Sequence, residues 1–178
     1  MSDDRLIELR VENRRLKNEV EQLENKILSL VGNVEIEISG GPDNKNRIND
    51  EILNLFTNTE GQLSILTSKI DRFYTNELKN LADKDIDIRV VTSERGNIPT
   101  DYVEFYDEIK NERKMNVVNN PNVVSLLVFN YQEAIYATGS LDRKELEDSY
   151  LILTKIRQRS ILDKISEFYN LFLPSFMR

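Results

Sequence analysis

The chain has 178 residues, of which 39% are hydrophobic and 31% charged, with a formal net charge of −7. That length allows one ordinary domain plus an appendage, and the acidic balance disfavours broad binding to phosphate backbones. There are no cysteines and no histidines, which excludes disulfides, thiol catalysis, phosphohistidine chemistry and the commonest zinc ligand.

Residues 5–31 read RLIELRVENRRLKNEVEQLENKILSLV. Leu9, Leu16, Leu23 and Leu30 fall seven apart, and Leu6, Asn13, Val20 and Ile27 form a second register three residues earlier. This is a heptad repeat with mostly apolar a and d positions, the pattern of a coiled coil rather than of the broader stripe of a single packed helix. A buried Asn at an a position favours two parallel strands in register, and Leu at every d position agrees. The flanking charges are mixed. In a parallel homodimer Glu12 faces Lys17, whereas Arg5 faces Arg10 and Glu19 faces Glu24. Such exposed pairs are worth only tenths of a kcal/mol, so a homodimer is the expectation and a heterodimer the alternative. No basic segment leads into the first heptad, which argues against a basic-region zipper reading DNA.

VEIEIS (34–39) alternates as a half-buried strand does, and SGGPDNKN then reads as a loop. Helix is expected over 48–57, strand over 63–67, helix over 70–83 with Phe73, Leu78 and Leu81 inward, and strand over 86–92. Those last three elements form a βαβ unit with parallel strands. A loop over 93–100 leads to a helix over 101–113, which turns Tyr102, Phe105 or Tyr106, and Ile109 to one side. VVSLLVF (123–129) is too apolar for a solvated edge and reads as a central strand. NYQ is its turn and EAIYAT its hairpin partner. A last strand over 150–154 precedes a helix over 157–173, with Ile161, Ile165, Phe168 and Phe172 facing the core.

No stretch approaches the roughly 20 apolar residues of a membrane span. The segment MSDDRLIELR lacks the apolar core of a signal peptide. A cytoplasmic protein with no membrane attachment is expected, and no cofactor or metal is implied.

The stretch 125–142, SLLVFNYQEAIYATGSLD, is similar in layout to the signature of the phospholipase D-like superfamily: His-x-Lys, four residues, Asp, six residues, Gly-Ser-x-Asn. Laid on without gaps, Gly139 and Ser140 match. Asp142 takes the Asn position, Gln132 the Asp, Leu127 the Lys and Ser125 the His. The resemblance implies that the nucleophile and the phosphate-neutralising lysine are both missing, so it describes a catalytically inactive relative. Over a longer stretch the chain resembles TrmB-type archaeal transcriptional regulators, in which a coiled coil joins a phospholipase D-like effector domain without the catalytic residues. The winged helix of those regulators is absent from this sequence. The fold class expected is therefore α/β: a parallel coiled-coil helix (1–33), a strand and linker (34–47), and a mixed-sheet phospholipase D-like domain (48–178).

The function expected is that of a non-enzymatic, dimeric regulatory or adaptor protein, pairing with itself through the coil and binding a protein partner through the inactive domain. Transcription regulation is one setting for it, without direct nucleic-acid binding. The alternative is a sensor of a sugar or anion. Its cleft would lie at the C-terminal ends of the parallel strands, lined by Thr67, Ser68, Thr92, Ser93, Arg95, Ser125, Ser140 and Asp142. There Arg95, beside Gly96, would hold a phosphate or carboxylate.

Overall fold

The structure is a computed structural model that describes residues 2–177, and within the first helix the side chains of residues 5, 10–24, 26 and 27. Two compact units divide the chain, residues 1–34 and residues 35–178.

The first unit is a single helix, α1 (Ser2–Val31). Gly and Pro are absent from this run, and Arg15 and Glu12 pair one turn apart at 3.0 Å. Asn13, Leu16, Val20, Leu23 and Ile27 are all exposed. Leu6, Leu9 and Leu30 lie outside the described side chains.

The second unit is built on a seven-stranded mixed sheet. Its elements in chain order are β1 (Val34–Ser39), α2 (Gly41–Asn44), α3 (Arg47–Thr57), β2 (Gln62–Thr67), α4 (Arg72–Ala82), β3 (Asp87–Thr92), α5 (Thr100–Asn111) and β4 (Met115–Asn119). There follow β5 (Leu126–Phe129), β6 (Ala134–Ala137), α6 (Arg143–Asp148), β7 (Leu151–Ile156) and α7 (Arg159–Asn170). The strand order is β1-β7-β6-β5-β2-β3-β4. β2, β3 and β4 run parallel, while β5, β6 and β7 join antiparallel.

Alternation along the central strands divides the core into two layers. Leu63, Ile65, Ile88, Val90, Leu126 and Val128 pack under α3, α4, α5 and α6. Leu66, Val91, Leu127 and Phe129 pack under α7. The central position expected for β5 is observed, because a strand buried on both faces has no use for polar residues.

Several expectations are corrected. The strand expected over 123–129 starts at Leu126, and its partner is confined to Ala134–Ala137. The helix expected to 173 ends at Asn170; α7 turns Leu162 and Tyr169 inward with Ile165 partly buried, the turn after it adds Leu173 and the partly buried Phe172, and Phe168 is 47% exposed. The Tyr169 hydroxyl fixes that rotation by donating to the Arg89 carbonyl at 2.9 Å. β1 is not half-buried through its isoleucines. Ile36 and Ile38 are exposed, and the acidic residues face the helices: Glu37 holds Arg47, and Ser39 Oγ accepts from Ile48 N. β4, α2 and α6 are additional elements, and the 93–100 loop contains one 3-10 turn, Arg95–Asn97. No helix among the described residues is long and apolar enough to cross a membrane.

Candidate functional site

The parallel strands β2 and β3 end together, and the segment after β6 crosses their ends. Thr67, the last residue of β2, ties the crossing down: its hydroxyl donates to the Lys69 carbonyl and accepts from Leu141 N, both at 2.8 Å. Ile70 and Leu141 form an isolated parallel bridge, and Asp71 N donates to the Leu141 carbonyl at 3.0 Å. This brings Lys69, at the start of the β2–α4 connection, over the beginning of α6.

That beginning is made by Gly139, Ser140 and Asp142. Gly139 has φ of 97°, and a Cβ there would stand 3.1 Å from Glu145 Oε1, so glycine suits both the backbone and the space. Asp142 caps α6, its Oδ1 accepting from Glu145 N at 3.0 Å. Glu145 reaches back, accepting from Ser140 N at 3.1 Å and from Ser140 Oγ at 3.0 Å. This is a variant of the reciprocal capping box.

Lys69 Nζ closes the cluster, 2.7 Å from Glu145 Oε2, 3.4 Å from Asp142 Oδ2 and 4.4 Å from the centre of the Tyr102 ring. Tyr102, from the first turn of α5, donates its hydroxyl to Asp142 Oδ2. Burial works against ionising Asp142. The Tyr102 hydroxyl, the Glu145 N–H and Lys69 outweigh it, and the carboxyl is held below the usual range. Burial likewise opposes charge on Lys69, and Glu145 and Tyr102 reverse the balance, so the ammonium titrates above an ordinary lysine. The Asp142 hydrogen bond pushes the Tyr102 phenol up.

Within the cluster the charged groups are paired with one another, Lys69 with Glu145 and Asp142. The Ser140 hydroxyl is buried and committed to a carboxylate that is itself paired with Lys69.

The other expected residues lie apart. Leu127, at the position of the motif's lysine, is buried in the core under α7. Ser125 precedes β5 and is half-buried. Thr92 ends β3 and Ser93 follows it, Thr92 donating to the Ser68 carbonyl and the Ser93 carbonyl accepting from Asn119. Arg95 is exposed and its guanidinium is taken by Asp107 of the same chain, in two hydrogen bonds of 2.9 and 2.8 Å. Gln132 sits on the β5–β6 turn, at the opposite end of the sheet. It lines a cleft of about 660 Å³ together with Asn54, Asn58, Glu51, Lys155 and Arg157. Lys69, Tyr102 and Glu145 were not singled out from sequence. The Asp142-x-x-Glu145 spacing is the one local signal that points to any of them.

No protein-family model matches the chain, and no curated protein matches it in sequence. Solved structures do match in fold. NucT from Helicobacter pylori aligns over 78% of this chain and 95% of its own, with a TM-score of 0.65 and 11% identity. Nuc from Salmonella typhimurium, a phospholipase D family member, aligns over 78% and 93%, with a TM-score of 0.67 and 10% identity. TrmBL2, an archaeal chromatin protein described as having a novel mode of DNA binding, aligns over 92% of this chain and 65% of its own, with a TM-score of 0.57 and 11% identity. The chain thus has a phospholipase D-like fold, with a likeness to TrmBL2 that covers more of it than those to NucT and Nuc.

Proposed function

We propose that this chain is a non-catalytic regulatory protein that dimerises through α1 and binds a protein partner through its phospholipase D-like domain. The observation that carries the reading is the cluster at the motif. Lys69 and Tyr102 close over Asp142 and Glu145, while the position of the motif's lysine is a core leucine and the chain has no histidine. A phosphodiester would find neither a nucleophile nor an unpaired cation there. The likeness to TrmBL2 supports the regulatory setting, because its wider coverage takes in part of α1; residues 35–178 alone are about four-fifths of the chain. The test is turnover of bis(p-nitrophenyl) phosphate and of single-stranded DNA by the full chain. We expect none above a buffer blank, and the same null result from Glu145→Gln. Turnover that Lys69→Met or Glu145→Gln abolishes overturns the reading.

A second reading is favoured by one feature, the cleft of about 660 Å³ at the β5–β6 turn. Its cations are paired, Lys155 with Glu51 and Arg157 with Glu35 and Glu133, and amides of Asn54, Asn58 and Gln132 share its lining. Such a surface suits a polar, uncharged ligand more than an anion. A melting temperature unmoved across a panel of sugars and nucleotides excludes it.

A further inference from the structure

At one end of the sheet an apolar face is left uncovered. Glu35, Glu37 and Ser39 of β1 turn toward the α3 side, where Arg157, Arg47 and the Ile48 N–H receive them. Ile36 and Ile38 turn the other way and are 72% and 66% exposed. Ile152 on β7 and Tyr136 on β6 share that face, 65% and 45% exposed. α7 buries its side chains over β2, β3, β5 and the start of β6, with Val118 of β4 and Ile156 at the end of β7 partly buried beside them, and none of these four exposed residues is part of that cluster.

β1 is also the outermost strand, so among the described residues the backbone groups along its outer edge have no strand partner. Proteins ordinarily blunt such an edge with charged side chains, above all lysine, with proline or with a bulge, and the two charges on β1, Glu35 and Glu37, are neutralised by Arg157 and Arg47 on the α3 side. VEIEIS contains neither lysine nor proline and runs as six unbroken strand residues.

We propose that β1 pairs antiparallel with β1 of a second copy of this chain, about a two-fold axis through Glu37. The segment is close to self-complementary about that point. Ile36 of one copy stands opposite Ile38 of the other, twice, which gathers four isoleucines on one face and extends it with Ile152. Directly opposed β-branched pairs are the stabilising unit of such a ladder. Glu37 meets its own counterpart on the other face. That like-charge opposition is relieved because each Glu37 carboxylate already takes two hydrogen bonds from Arg47, at 2.5 and 3.0 Å.

A second copy is the occupant that the chain's own connectivity favours. Only Gly32 and Asn33 separate α1 from β1. Any pairing of the helices holds two β1 strands at an effective concentration in the millimolar range that short linkers give. In that respect the inference rests on the dimeric reading above.

The experiment combines light scattering with hydrogen–deuterium exchange of peptides covering residues 34–39 in the full chain. It compares Ile36→Lys/Ile38→Lys with Leu16→Lys/Leu23→Lys. All four positions are exposed in the single chain, so the fold of each variant is retained, as circular dichroism would verify. The wild-type dimer is expected to protect the whole of β1. Ile36→Lys/Ile38→Lys is expected to speed exchange of its outward amides tenfold or more while the mass stays dimeric. A dimer that survives Leu16→Lys/Leu23→Lys but is lost with Ile36→Lys/Ile38→Lys supports strand pairing and removes the zipper. A wild-type dimer whose outward β1 amides already exchange fast, unchanged in Ile36→Lys/Ile38→Lys, overturns strand pairing and leaves the zipper standing. A monomer at all concentrations overturns both.

Discussion

The Lys69 ammonium lies 2.7 Å from Glu145 and 3.4 Å from Asp142, joining residues more than seventy positions apart at the start of α6. Asp142 is buried, and Lys69 and Glu145 are partly exposed. Removing the ammonium leaves a buried carboxylate with the phenol and one N–H to satisfy it. Lys69→Met is therefore expected to destabilise the domain by about 2 kcal/mol, less than a fully buried pair because solvent screens part of it. Urea unfolding of the two proteins measures this, and a change within error would show that the pair is incidental.

Acid sensitivity follows from Asp142. Its folded-state pKa is depressed. The stabilisation it brings is fully present above the ordinary aspartate value of about 3.9 and is lost as the pH falls through the lower folded value. Unfolding free energies measured between neutral pH and acid should fall more steeply below about pH 4 in the wild type than in Asp142→Asn. Parallel curves would remove Asp142 from the account.

Lys155 and Glu51 form a second, more deeply buried pair at 2.5 Å, with Arg47 also on Glu51 at 2.9 Å. Lys155→Ala strands part of the charge on Glu51 and is expected to cost about 3 kcal/mol. The double change Lys155→Met/Glu51→Leu removes both charges and should recover most of that loss. Chemical denaturation of the single and double variants decides whether the pair matters for stability or only for how α3 sits on β7.

How much of this was legible in the sequence depends on the length of each signal. β5 announces itself because LLVF has no polar residue, and α3 and α4 because their apolar rows repeat over three turns. β4 hid because Asn116 and Asn119 break the alternation of MNVVN. α6, at six residues, is too short for any periodicity to show. On α7 two apolar rows overlap, and only packing chooses the one carrying Leu162 and Tyr169. For the site, Gly139, Ser140 and Asp142 were found because the motif is local. Lys69 reaches Asp142 from the β2–α4 connection and Tyr102 from α5, and no spacing along the chain records that meeting.

Restoring the motif by substitution should fail at one position. Leu127 is packed against α7 in the core, and a lysine there must bury an ammonium among apolar side chains. Leu127→Lys is expected to destabilise by about 3 kcal/mol or more. Leu127→Met should cost under about 1.5 kcal/mol. Thermal melts of the pair measure the difference, and a Lys variant as stable as the Met variant would show that position 127 has an outlet to solvent.

Asn13 gives a test of the zipper reading. A lone Asn at an a position limits a coil to two strands at a cost in stability. Asn13→Leu should raise the melting temperature of the assembly and admit species larger than a dimer, as sedimentation equilibrium would report. An unchanged mass and melting temperature would mean that Asn13 faces water.

The strand order has a consequence for synthesis. β1 lies beside β7, so the strand that directly follows α1 has no neighbour until residues 151–156 have left the ribosome. At roughly 5–20 residues per second, the intervening stretch takes on the order of 6–25 s. Throughout that time α1 is complete, so the pairing proposed for it would let two nascent chains on one message join before either has closed its sheet.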